Sequence, residues 1–142
     1  MSDSAPLTFV DTNVLVYAFE KRRTPKNVIA RKLIGELIRQ DRLCLSTQVL
    51  QELFVTLTRK VRQPCSVEEA LDCLDTLAAW PVLTIDYTAI RDAAALARDA
   101  VLSFRDALII VAAARSSAVA LCTEDLGDGQ EILGVRITNP FV

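Results

Sequence analysis

Short apolar runs alternate with longer stretches of helical periodicity along this chain. Residues 7–10 (Leu-Thr-Phe-Val) stop abruptly at Asp11, the pattern of a strand buried on both faces of a parallel sheet. Val14, Leu15, Tyr17, Ala18 and Phe19 form a short helix, ended by Lys21-Arg22-Arg23 and Pro25. Residues 27–40 place Val28, Ile29, Leu33, Leu37 and Ile38 at helical spacing. Residues 43–45 read as a second strand. Ser46 or Thr47 then caps a helix presenting Val49, Leu50, Leu53, Phe54 and Leu57, which closes over residues 60–64. Ser66-Val67-Glu68-Glu69 is a capping box for a helix reaching Ala78. Trp80-Pro81 breaks the chain before a third strand at 82–85. Asp86 or Thr88 caps the next helix, and Ser103 opens another. Residues 107–114 of that last helix carry no polar side chain, as expected for a helix buried all round. A fourth strand at 119–122 and a short last one at 135–137 complete the pattern, with Gly127, Gly129 and Gly134 marking turns.

This alternation predicts a three-layer α/β domain with a mainly parallel sheet flanked by helices. No linker, repeat or low-complexity segment interrupts it, so residues 1–142 are expected to form one domain with a sizeable core.

Composition narrows the chemistry. The chain is 51% hydrophobic, yet charges interrupt every apolar stretch short of a membrane span. Residues 1–6 lack the basic segment and apolar core of a signal peptide, and a cytoplasmic location is expected. Cys44, Cys65, Cys73 and Cys122 form no C-x-x-C pair and read as ordinary thiols. Histidine is absent, which excludes a Ser-His-Asp triad, a Cys-His pair and a His-ligated zinc. The four glycines build neither a P-loop nor a dinucleotide fingerprint. Carboxylates, hydroxyls, amides and basic groups remain, and hard cations such as Mg²⁺ or Mn²⁺ are their natural cofactors.

The net charge is only −2, but its distribution is uneven. Most of the 16 basic residues lie between Lys21 and Arg62, where only Glu36, Asp41 and Glu52 oppose them. Such asymmetry points to a negatively charged partner, nucleic acid being the usual one; solvated helix faces are the alternative.

Four acidic residues stand out. Asp11 and Asp125 follow strands at their carboxyl ends, which share one edge of a parallel sheet. Asp106 opens the apolar helix, and Glu52 flanks the core face of another. Each has a simpler explanation. Asp11 can be a helix cap, Asp106 the partner of Ser103 in a capping box, Asp125 a turn residue and Glu52 a solvated helix residue. Together they read as a cluster that bound metal would neutralise, since like charges raise one another's pKa values.

Those segments resemble the PIN-domain ribonucleases, and among them the VapC-type toxins of bacterial toxin–antitoxin pairs. Residues 9–17 around Asp11, 46–53 around Glu52, 102–109 around Asp106 and 121–126 around Asp125 are similar to the family's motifs in the family's order. Gly134 to Phe141 is similar to its closing strand and tail. The resemblance implies a PIN-like sheet of about five parallel strands and Mg²⁺- or Mn²⁺-dependent cleavage of RNA by metal-activated water. It assigns Asp11, Glu52, Asp106 and Asp125 as catalytic metal ligands, with Asp125 the weakest, and Thr12, Asn13 and Thr123 as groups holding the acids in place. It further implies a homodimer, a larger toxin–antitoxin assembly, and an antitoxin that blocks the site, often with a basic side chain. Arg22, Arg23, Lys26 and Arg105 are the expected RNA contacts. Arg105 has two other readings, as a modulator of Asp106 and as a surface residue, and the role of Asp128 stays open. A catalytically silent PIN-like interaction module is an alternative. Another acidic Mg²⁺-dependent α/β phosphoryl-transfer protein is a further one, although Asn13 stands where a phosphatase pattern needs Asp.

Overall fold

A computed structural model describes residues 6–142; residues 1–5, most of the segment read as lacking signal-peptide features, lie outside it. The sheet has six strands in the order β3-β2-β1-β4-β6-β5. They are β1 (Leu7–Val10), β2 (Leu43–Ser46), β3 (Val82–Leu83), β4 (Ala118–Cys122), β5 (Glu131–Ile132) and β6 (Val135–Thr138). All neighbouring pairs are parallel except β5 and β6. Helices α1 (Thr12–Phe19), α2 (Pro25–Arg39), α3 (Thr47–Val55), α4 (Val67–Leu77), α5 (Tyr87–Ala100) and α6 (Phe104–Arg115) connect them.

Strand β1 is central because it is apolar on both faces. Phe9 and Val10 are fully buried, with Phe9 opposite Cys44 of β2 and Leu121 of β4. The chain steps from β1 through β2 to β3 on one side, and β4 then enters on the other. The carboxyl ends of β1 and β4 therefore flank the switch point, where open α/β sheets form their binding crevice. Helix α6 is buried from Ala107 through Ala113, as its unbroken apolar run predicts. Ala107, Leu108 and Val111 pack with Ala89 and Ala93 of α5 in a cluster of their own. Small side chains allow these two helices a close approach.

Three local outcomes depart from the sequence pattern. The third strand stops at Leu83, two residues short, because the Ile85 amide donates to the Thr47 hydroxyl (3.1 Å) instead of a strand. Helix α3 does not stay α-helical to its end; Thr56–Lys60 is a π-helical turn that swings Lys60 and Arg62 toward a cleft. The two-residue strand β5 pairs antiparallel with β6 through Leu133-Gly134, both at positive φ (52° and 77°). That is the backbone of a tight primed hairpin turn, with leucine in place of the usual Asn or Asp.

All four cysteines are free thiols. Burial pushes the thiols of Cys44 and Cys122 up to about 11, so both stay protonated at neutral pH. Among the described residues no helix is long and apolar enough to cross a membrane.

Candidate functional site

Three of the four acids are gathered around one guanidinium, that of Arg105. Asp11 is the first residue after β1 and is only 1% exposed. It caps α1, its Oδ1 accepting from the Thr12 amide at 2.6 Å, so the cap reading is correct. Oδ2 accepts from the Thr123 hydroxyl at 2.9 Å. Glu52 comes from α3, which starts directly at the end of β2 with Ser46 as its cap. Its Oε1 accepts from the Thr12 hydroxyl at 2.6 Å. Asp106 lies in the first turn of α6, and its amide donates to the Ser103 hydroxyl at 3.1 Å. One residue therefore takes part in a helix cap and offers its carboxylate to the site, because capping here uses only the backbone of Asp106.

The group that joins the three is Arg105. Its Nη2 donates to Asp11 Oδ1 and Glu52 Oε1, both at 2.7 Å. Its Nη1 donates to Asp11 Oδ2 at 3.1 Å and Asp106 Oδ1 at 3.2 Å, and its Nε to Glu52 Oε2 at 3.2 Å. Burial of the guanidinium opposes its charge, but the bonds to Asp11 and Glu52 prevail and raise its pKa above the ordinary arginine value. Burial likewise raises Glu52, and the bonds from Arg105 and Thr12 outweigh it, leaving the Glu52 pKa below the usual value. In this arrangement the Arg105 guanidinium, although partly exposed at the cleft, is committed to the acids.

Asp125 stands apart from that knot. It is held by Asn13, whose Nδ2 donates to Asp125 Oδ2 at 2.9 Å. The Asp125 amide donates to the Thr123 hydroxyl at 3.2 Å, and that hydroxyl in turn donates to Asp11. Thr12 thus bonds both Asp11 and Glu52, Thr123 both Asp11 and Asp125, and Asn13 bonds Asp125. Asp128 is elsewhere: its Oδ1 accepts from the Asn139 amide at 2.8 Å and pins the tail after β6.

A cleft of about 840 Å³ opens in front of the acids. Its floor includes Thr12, Asn13, Glu52, Arg105 and Asp125, and Arg22, Lys60 and Arg62 also line it. Sequence reasoning does not single out Lys60 and Arg62; their one signal is membership of the basic stretch ending at Arg62. Arg23 is exposed but is not among the lining residues. Lys26 is engaged elsewhere, 2.8 Å from Glu124 and 5.2 and 5.4 Å from the ring centres of Tyr17 and Phe141. The Tyr17 hydroxyl donates to the same Glu124 at 2.8 Å.

The donor set suits a hard divalent cation. Three carboxylates against one guanidinium leave two formal negative charges, and every available donor is oxygen. Buried Asn13 Oδ1 and Gln48 Oε1, beside Asp125 and Glu52, have no hydrogen-bond partner. Unpaired buried acceptors are costly, and a cation bound here would bring hydrogen-bond donors to this part of the site only if these two side chains turned toward it. Among the described residues no three acidic or cysteine side chains close on a common point tightly enough to hold an ion by themselves. The carboxylates are gathered around the guanidinium.

Comparison with known proteins agrees with this architecture. Solved structures at low identity share the fold. A toxin–antitoxin complex from Klebsiella pneumoniae has a chain 20% identical with TM-score 0.69, the match covering 94% of this chain and 97% of that one. VapBC2 from Rickettsia felis, bound to a DNA fragment from its promoter, is 19% identical with TM-score 0.66, covering 94% and 98%. VapC20 from Mycobacterium tuberculosis, a toxin that cleaves the sarcin–ricin loop, is 18% identical with TM-score 0.65, covering 80% and 86%. Comparison with curated protein sequences finds no significant match. The PIN domain family model matches residues 8–127, a span that includes all four acids and runs from within β1 through β4, and the chain belongs to the PIN domain family.

Proposed function

We propose that this chain is an endoribonuclease, the toxin of a type II toxin–antitoxin pair acting in the cytoplasm. The observation that carries the reading is the meeting of Asp11, Glu52 and Asp106, from three separate elements, at the carboxyl edge of the sheet beside a cleft lined by Arg22, Lys60 and Arg62. The three acids, with Asp125 at the rim, would hold Mg²⁺ or Mn²⁺, and that cation would supply Lewis-acid activation of water and charge neutralisation at the scissile phosphate. The chain's own residues do the rest. Thr12 orients Glu52, Thr123 orients Asp11, and Asn13 orients Asp125. Arg22, Lys60 and Arg62 would hold the RNA backbone across the cleft. With no histidine in the chain, no imidazole serves as base. The solved structures of like fold include toxin–antitoxin complexes, which supports an antitoxin partner; a homodimer within a larger assembly is part of the same proposal.

Incubating the purified protein with total RNA and mapping the new ends tests this. Discrete ends are expected with Mg²⁺ or Mn²⁺ and none after EDTA. A silent interaction module is the second reading, favoured by the guanidinium already lodged among the acids. RNA left intact with both metals, together with tight binding of a partner, would favour it.

The basic wall of the cleft makes a separate prediction. The double variant Lys60→Ala/Arg62→Ala is expected to bind RNA more weakly and with less salt dependence. The slope of log affinity against log salt should flatten by about 0.7 for each phosphate that the variant no longer neutralises. Affinity measured by filter binding at several KCl concentrations gives that slope directly.

A further inference from the structure

We infer that Arg105 is a built-in competitor of the divalent cation, holding the acidic cluster closed until metal displaces it; this rests on reading the cluster as a metal site. The guanidinium has five N–H donors, and all five are committed to Asp11, Glu52 and Asp106. Two of those acids are gripped in the bidentate manner that makes arginine–carboxylate pairs strong. Both Asp11 oxygens also accept a second bond, from the Thr12 amide and the Thr123 hydroxyl. Their lone pairs are therefore filled while Arg105 is in place, and a cation cannot take Asp11 without removing it.

Deprotonation offers no way out, because a guanidinium stays charged at any physiological pH. The release has to be conformational. Arg105 is suited to that, since its side chain is 34% exposed and lines the cleft, whereas the Asp11 side chain behind it is 1% exposed. Rotation about its methylene stem carries the charge outward into the cleft without moving α6. The apparent metal affinity is then the intrinsic affinity reduced by the fraction of molecules in which Arg105 is out. If the open form makes up about 1–10% of the molecules, the reduction is about 10- to 100-fold.

The same bonds give Arg105 a second consequence in the metal-free protein. It neutralises part of the repulsion among three carboxylates held at α1, α3 and α6, so its removal loosens the cluster only when no cation is present.

The test is Mn²⁺ binding by calorimetry and by electron paramagnetic resonance of free Mn²⁺, on the parent, Arg105→Gln and Arg105→Lys. Arg105→Gln is expected to bind Mn²⁺ about 10- to 100-fold more tightly than the parent. Its melting temperature should be lower without metal and should rise more than the parent's on adding Mn²⁺. Arg105→Lys keeps the charge but cannot make the five-bond grip, so it should also bind more tightly, by a smaller factor. Unchanged affinity in Arg105→Lys with a gain in Arg105→Gln would reduce the effect to simple charge repulsion and overturn the competitor role. Equal or weaker Mn²⁺ binding in folded Arg105→Gln would overturn it as well, leaving the nuclease reading intact. Absence of Mn²⁺ binding in all three proteins would overturn both. Should Arg105→Gln not fold, the Arg105→Lys comparison alone decides.

Discussion

Asp11→Asn is expected to lower RNA cleavage by about 10³-fold or more while leaving a folded protein. The Asp11 carboxylate accepts four hydrogen bonds, from the Thr12 amide, the Thr123 hydroxyl and two arms of Arg105. Asparagine can keep the Thr12 cap and one Arg105 bond through its carbonyl oxygen. Its NH₂ group then faces an Arg105 N–H, and the Thr123 hydroxyl must turn to accept. The cost in stability is about 1–3 kcal/mol, which a domain of this size tolerates. The loss of activity is far larger because the deepest anionic donor of the site is gone. Arg22, Lys60 and Arg62 are untouched, so RNA affinity should stay within a few-fold of the parent. Cleavage rates under single-turnover conditions, alongside filter binding, separate the two effects. A variant that cuts as fast as the parent would remove Asp11 from the mechanism.

The largest expected effect on stability is at Phe9. It is fully buried in the central strand, between β2 and β4. Phe9→Ala removes a ring from a core with no route to collapse evenly, at a cost of about 3–5 kcal/mol. Against a total of about 5–15 kcal/mol, that is a substantial share of the fold. Urea unfolding should show the midpoint falling sharply with the slope unchanged. Phe9→Leu, which keeps most of the volume, should cost less than about 1.5 kcal/mol. Because Asp11 lies two residues on, activity in Phe9→Ala should fall with the folded fraction, with no separate catalytic deficit in the molecules still folded.

The order of elements and the buried helix α6 are legible in sequence because both depend on local periodicity, and residues 107–114 carry an unmistakable apolar run. The positions of Asp11 and Asp106 are legible for a related reason: each sits where a strand ends or a helix begins. The direction of long side chains is not. Arg105 precedes Asp106 in the chain, yet its guanidinium reaches Asp11, 94 positions away, and Glu52, 53 away. No local pattern encodes that reach. Lys26 likewise reads as an RNA contact from the charge run, whereas Glu124, 98 residues later, claims its ammonium group. Strand β5 leaves no sequence signal because two residues are too few to show alternation, and its turn uses Leu133 where an Asn or Asp would have announced it.

Both margins of the sheet are two-residue strands, β3 and β5. A margin so short exposes few unpaired backbone groups, and a neighbouring molecule finds no template on which to add a strand. A partner of this chain is therefore expected to meet it through helices and loops rather than by extending the sheet. The same short margins disfavour edge-to-edge stacking, one of the ways in which sheet proteins aggregate.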